Sequence, residues 1–331
     1  MLGRRPLLNI ARRAFRAFCI TASTAAGDAP LPGRAVELVL REESRATLPE
    51  PFNISGISMG AGGDLLALSR SPNIVLRLTT QLATASILIL PDSIVPLAAW
   101  SEGDRVEIVT ASPPELHQLD PDGALLDSTP LELEGTLVAA ARGDEGWHVL
   151  SDSTSGGGLR LHRIGDPMPT GVDAYGHLTL GQHGAVWLAR TIYPYEARQF
   201  RRDRSRGLTL HPTFAPLDSM RAAAGQQDFA SWMALPLVVL QGGYLQTIAD
   251  IMYDRRLMIV YNEAGHVVAT QVITAPLGLV VGDPRRKRVY GVRRTDRAEI
   301  VEYSYRWAHQ GSGQMVRTRD RDVPHVVAHE E

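Results

Sequence analysis

Leu119-Asp120-Pro121-Asp122-Gly123-Ala124-Leu125 and Tyr261-Asn262-Glu263-Ala264-Gly265-His266-Val267 are the same device written twice. In each, an apolar strand ends, a polar pair turns, a glycine takes the positive-φ position and a new strand begins. Working outward from these hairpins, six segments read as strands that follow a Gly- or Asp-containing turn: 64–68, 105–109, 147–150, 185–189, 244–249 and 288–292. Their centres step by 41, 41, 39, 59 and 44 residues. A second strand follows each of them within a hairpin's length, at 74–78, 116–119, 159–162, 198–200, 257–261 and 300–303. A more apolar strand precedes each pair, at 54–59, 95–100, 136–141, 177–180, 237–241 and 277–282. Full apolar runs such as Leu137-Val138-Ala139-Ala140-Ala141 suit strands buried on both faces.

Six repeats of about 40–45 residues with several strands each predict an all-β, six-bladed β-propeller of four-stranded antiparallel blades. A lone blade cannot bury both of its faces, and radial packing buries both. The ring must close. The last repeat lacks a fourth strand after Tyr303-Ser304-Tyr305, while Ala35–Arg41 is an orphan strand at the other end. The economical solution is an N-terminal strand completing the last blade. Two unrelated β domains are the rival organisation, and the even spacing opposes a boundary. On this repeat spacing and the Asp/Asn-x-x-Gly hairpins, residues 35–307 resemble bacterial six-bladed β-propellers, the broad group that includes NHL-repeat and TolB-like proteins. The resemblance implies an architecture shared by binding modules, scaffolds and some hydrolases or lactonases, and fold alone does not choose among them. The 59-residue step implies an insertion at about 206–236, with a helix-compatible stretch at 218–227. Phe214, Phe229 and Trp232 give this insertion apolar anchors of the kind enriched at interfaces, or rings that fold back onto the propeller.

Length and composition bound the function. The chain has 331 residues, 44% hydrophobic and 21% charged, enough for a sizeable core. A net charge of −2 provides no bulk attraction to nucleic acid. The single cysteine, Cys19, excludes an intramolecular disulfide, a multi-cysteine zinc site and a c-type haem motif. No apolar run reaches the roughly 18–20 residues that span a bilayer. Residues 1–27 are distinct: five arginines and no acid, so the remaining 304 residues carry −7. Arg12-Arg13-Ala14-Phe15 resembles a twin-arginine export signal, with an apolar 17–22 and a small-residue Ser23-Thr24-Ala25 after it. Leu7, Ala11, Phe15 and Phe18 at helical spacing instead suit an amphipathic helix on an anionic membrane surface. A disordered tail or a misassigned start is the bland reading, and residues 308–331 read as a polar tail.

Chemical motifs are sparse. Gly56-Ile57-Ser58-Met59-Gly60 matches Gly-x-Ser-x-Gly but lies in an expected strand with no helix behind it. His325 and His329 sit four apart in a terminal tail after Pro324, and His177, His183 and His148 read as loop or packing residues. Asn53, Asp92, Asp173, Asp250 and Asp283 lie near strand ends, where a metal-dependent hydrolase or lactonase would gather ligands around the channel. Arg198, Arg201, Arg202, Arg204 and Arg206 form one basic group, with Tyr193 and Tyr195 nearby; Arg285, Arg286, Lys287, Arg288, Arg293, Arg294 and Arg297 form another. These suit acidic protein or anionic lipid, or are solvated turn charges. The expectation is therefore a non-enzymatic interaction propeller without cofactor or metal. It would be a membrane-extrinsic subunit of a larger complex, respiratory or photosynthetic in type, periplasmic or on the cytoplasmic face of the membrane. Arg12, Arg13, Phe15, Phe18, Arg201, Arg202, Arg204, Phe214, Phe229 and Trp232 are its candidate contacts. A hydrolase and a periplasmic ligand or peptide sensor are the alternatives.

Overall fold

In the computed structural model of the chain the hairpins close as their sequence requires. The Asp120 amide bonds the Ala124 carbonyl at 3.0 Å, the Gly123 amide returns to the Asp120 carbonyl at 3.1 Å, and Gly123 sits at φ 89°. The Asp120 carboxylate accepts from the amides of Asp122 and Ala124. Asn262 repeats the arrangement, with Gly265 at φ 84° and the His266 amide on the Asn262 side-chain oxygen. The structure describes residues 17–20, 36–133, 135–143, 145–153, 158–166, 169–181, 184–201, 206–212, 232–250, 255–274, 277–294 and 297–309.

Twenty-six strands among these residues form six antiparallel sheets. The chain enters with β1 (Ala17–Ile20) and β2 (Val36–Thr47). Blade one is β3 (Ile54–Met59), β4 (Leu65–Arg70), β5 (Asn73–Leu78) and β6 (Thr84–Ile89). Blade two is β7 (Pro96–Glu102), β8 (Arg105–Ala111), β9 (Pro114–Leu119) and β10 (Leu125–Pro130). Blade three is β11 (Thr136–Gly143), β12 (Gly146–Ser153), β13 (Gly158–Arg163) and β14 (Thr170–Val172). Blade four is β15 (Gly176–Leu180), β16 (Val186–Arg190), β17 (Ala197–Phe200) and β18 (Arg206–Leu210). In blade five, β19 (Trp232–Ala234) and β20 (Val238–Leu240) both pair with β21 (Gly243–Asp250), followed by β22 (Arg255–Asn262) and β23 (Val267–Thr274). Blade six is β24 (Leu277–Asp283), β25 (Arg288–Arg294), β26 (Ala298–His309), then β2 and, outermost, β1.

The alternation of side chains along a strand explains the continuous apolar runs. On β4, Leu65 and Ala67 face blade six with Tyr290 and Ile300, whereas Leu66 and Leu68 face blade two with Val106 and Ile108. Further clusters fill the seams between blades two and three, three and four, four and five, and five and six. The core is thus six inter-blade seams rather than one centre, and the cluster joining blades six and one completes the ring.

Closure follows the expected device in extended form. β2 pairs with β26 from Val36 opposite His309 to Thr47 opposite Glu299, and Leu38 and Leu40 are fully buried in the last seam. Three sequence expectations need correction. The insertion is shorter than 206–236, because β18 and β19 claim both of its ends and leave 211–231 between them. The inner strand of blade five is split in two, since both short strands can bond one eight-residue partner. Residues 17–20, which carry Phe18, are an extended strand rather than part of a helix: the edge of β2 gives their backbone partners that a lone helical turn lacks.

Candidate functional site

Strict up-and-down order gives the ring two unlike faces. The turns between first and second and between third and fourth strands lie on one, here the turn face. The turns between second and third strands and the connections from blade to blade lie on the other, here the connection face.

On the connection face, blade four carries an apolar patch. The loop 191–196 joins β16 to β17, and 173–175 joins β14 to β15. Ile192 is 59% exposed, Tyr175 50% and Tyr193 37%. The two loops are bonded to each other, the Thr191 amide reaching the Tyr175 carbonyl at 3.2 Å. Beneath them the mounting is polar and buried. Tyr195 sits at φ 57°, fully buried, and donates its hydroxyl to the Trp232 carbonyl at 3.2 Å. The Gln246 side-chain amide donates to the Tyr195 carbonyl at 2.8 Å, and Tyr261 donates its hydroxyl to the other end of Gln246 at 3.0 Å. Burial pushes the Tyr195 hydroxyl up to about 12 and drives that of Tyr261 upward as well, so both remain donors across the ordinary pH range. The Tyr193 ring meets Tyr195 edge-on, centroids 5.9 Å apart. Charges around the patch are mutually satisfied: Arg198 bonds Asp173 at 2.8 Å and Glu196 at 2.9 Å, and His211 lies 3.2 Å from Glu196.

The turn face holds a small cleft of ≈ 40 Å³ between blades three and four, lined by Glu145, His148, His162, Arg163, Asp166 and Arg201 among others. Its histidines are held neutral. Burial lowers His148, with the Arg163 charge adding to the effect, and burial lowers His162, which bonds the Ser151 hydroxyl at 2.8 Å. Among the described residues no group of three or more His, Cys, Asp or Glu is placed to hold a metal ion. Asp250 is buried against Arg255 at 2.7 Å, and Asp283 accepts the Arg286 amide at 3.1 Å. Asp173 serves Arg198, Asp92 is exposed, and Asn53 is exposed at the start of blade one. The convergence that a metal-dependent hydrolase would need is thus absent among the described residues. Ser58 donates to the Ala99 carbonyl from within a strand, so its motif makes no elbow.

Other candidates fall apart on folding. Trp232 is buried in the seam between blades four and five, 5.6 Å from the Arg255 guanidinium, and offers no exposed anchor. The first basic group is divided, because β17 carries Arg198 near the connection face and delivers Arg201, exposed, to the turn face. The second is largely paired: Arg286 with Asp283 and the Gly62 carbonyl, Arg288 with Glu302, Arg293 with Glu42, and Arg297 with Glu50. Arg12, Arg13, Phe15, Arg202, Arg204, Phe214, Phe229, His183, His325, His329 and the stretch 218–227 lie outside the described residues. Tyr175 and Ile192 escape a reading of the sequence. Their signal is Ile192-Tyr193-Pro194-Tyr195, an apolar run between two strands where turn chemistry calls for polar residues.

No family model and no curated protein matches the chain. Solved structures do. A member of the DUF4221 family from Bacteroides vulgatus aligns with a TM-score of 0.53 at 9% identity, over 83% of this chain and 99% of that one. The Cps50 (Swd1) β-propeller domain of Myceliophteria thermophila aligns with a TM-score of 0.52 at 9% identity, over 77% and 98%. Virginiamycin B lyase from Staphylococcus aureus, with quinupristin, gives 0.48 at 12% identity, over 80% and 99%. The likeness is one of fold: the chain is a six-bladed β-propeller. No helix among the described residues is long and apolar enough to cross a membrane.

Proposed function

We propose that this protein is a non-enzymatic interaction propeller that docks a protein partner on the connection face of blade four, as an extrinsic subunit of a membrane complex. The observation that carries the reading is the exposed trio Tyr175, Ile192 and Tyr193 on a fully bonded mount. Aromatic side chains held rigid lose little entropy on docking, and such anchors dominate interface energies. β18 ends and β19 begins on the same face, and the sequence between them includes Phe214 and Phe229. β1 runs antiparallel to β2, which puts Ala17 toward the face where β2 ends. Arg12 and Arg13, shortly before Ala17 in the sequence, are the charges an anionic bilayer would attract, at about 1 kcal/mol each near its surface. The compartment that fits both an export-like signal and a membrane partner is the periplasm.

The test is native electrophoresis of membranes solubilised gently from the source cells. The expected result is migration well above the 36.1 kDa monomer. A triple variant, Tyr175→Ser, Ile192→Asp and Tyr193→Ser, should run as a free monomer that still unfolds cooperatively, its thermal stability lowered only by the loss of the Tyr175–Asp152 hydrogen bond and the Tyr193–Tyr195 ring contact. Retention of that variant in the complex, or a free wild-type monomer, overturns the reading.

A further inference from the structure

Every blade of an open-edged ring ends in a strand with one row of unpaired amides and carbonyls. Among the described residues, β6, β10, β14, β18 and β23 are the last strands of their sheets, and blade six alone carries a strand beyond its fourth. That strand is β1, in the register Ala17 opposite Arg41, Phe18 opposite Leu40, Cys19 opposite Val39 and Ile20 opposite Leu38. The occupied edge belongs to β2, whose other edge is bonded to β26 along its whole length and whose Leu38 and Leu40 side chains are locked in the seam with blade five. The acceptor is therefore rigid and independent of what lies on it. Its occupant is not: four residues, Ala-Phe-Cys-Ile, are joined to β2 by the 15 residues 21–35, where two to five would make a hairpin.

We propose that the outer edge of β2 at Leu38–Arg41 is a strand-acceptor site, which Ala17–Ile20 fills in cis and an extended apolar segment of a partner protein fills in trans. The chemistry of the incoming segment is fixed by the one that sits there: a short, uncharged, β-prone stretch that offers its backbone. Main-chain bonds hold it, as in other strand-addition complexes. The tether sets the competition. A segment tethered within a few tens of residues acts at an effective concentration on the order of 1 mM, so a free peptide of equal intrinsic affinity must approach that level to displace it. Any event that removes or unpairs β1 opens the site. The proposal deepens the docking function by giving it a second contact, and it is tested without the connection-face patch, so the two can fail separately.

The probe is a fluorescent hexapeptide of residues 16–21 carrying Cys19→Ser. It is titrated by anisotropy against the full chain and against the full chain with Phe18→Pro and Cys19→Pro, which removes two neighbouring amide donors whichever of them faces β2. The variant should bind the peptide saturably, with a Kd at least tenfold below that of the wild type. A peptide with both prolines should not bind. Hydrogen exchange on the unaltered chain gives a second readout that needs no variant. Excess peptide should speed exchange at 17–20 while 38–41 stay protected. Equal binding by wild type and variant, binding by neither, or exchange that rises at both segments or at neither, overturns the proposal.

Discussion

The mount under the connection face makes a sharp energetic prediction. Tyr261, Gln246 and Tyr195 are fully buried and form one chain of bonds: Tyr261 hydroxyl to Gln246 oxygen, Gln246 nitrogen to Tyr195 carbonyl. Tyr261→Phe keeps the ring and strips one bond, leaving the Gln246 oxygen bare; a buried polar group without a partner costs about 1–3 kcal/mol. Gln246→Met keeps the volume and strands two groups, the Tyr261 hydroxyl and the Tyr195 carbonyl, at about 2–6 kcal/mol on the same scale. The double variant strands only the Tyr195 carbonyl. Its cost should therefore fall short of the sum of the singles by two such groups, the Gln246 oxygen and the Tyr261 hydroxyl, about 2–6 kcal/mol, well beyond the roughly 0.5 kcal/mol within which independent sites add. Urea unfolding of the four proteins, with the slope checked for constancy, gives the cycle. Additivity within that margin would mean that the three groups do not act as a unit, and the rigidity claimed for the 191–196 loop would go with it. Released from Gln246, that loop should also weaken partner binding in the Gln246→Met protein more than in Tyr261→Phe.

Two further outcomes are expected. Burial lowers His117, His148, His162 and His177, so the folded chain resists protons that the unfolded chain accepts below about pH 6.5. Stability should be full above that pH and decline as it falls toward 5, and His148→Gln and His162→Gln should each flatten the decline in unfolding free energy measured at pH 7.5, 6.5 and 5.5. Leu82 holds φ 58° yet is buried in the seam between blades six and one. Leu82→Gly relieves about 1–2 kcal/mol of left-handed strain and gives up about 2–5 kcal/mol of packing and cavity, so the net should be a loss of about 2 kcal/mol by urea unfolding; a stabilised variant would show that strain outweighs burial there.

Leu82 also shows where the sequence stops being readable. The Thr79–Ala83 turn has the same amide-to-carbonyl pair as Asp120–Ala124, with the Thr79 hydroxyl in place of the carboxylate and leucine in place of glycine. Two hairpins declare the repeat through Gly123 and Gly265, and this third does not. Spacing and apolar runs carried the blades and the closing strand, because a strand with both faces apolar has few other homes. The bulges that recur between first and second strands, at Ile54/Gly56, Pro96/Ala98, Leu137/Ala139 and Leu279/Val281, left no compositional mark, since the extra residues Leu97, Val138 and Val280 look like their apolar neighbours and Ser55 reads as ordinary alternation. The site was less legible than the fold. Arg293 reads as a free surface charge until Glu42, 251 positions away, lies 3.1 Å from it. Trp232 reads as an anchor until the seam swallows it, and the exposed Ile192 reads as core.

The bond between β2 and β26 has a temporal side. Thr47 leaves the ribosome about 250 residues before Ala298, which at roughly 5–20 residues per second is a wait of about 13–50 s. Throughout it, a twelve-residue strand bearing Leu38 and Leu40 has been made and its mate has not. A nascent chain of this design asks for a custodian: something that shields the early strand, whether a chaperone or its own Ala17–Ile20 lying against it, until translation ends and the circle can lock.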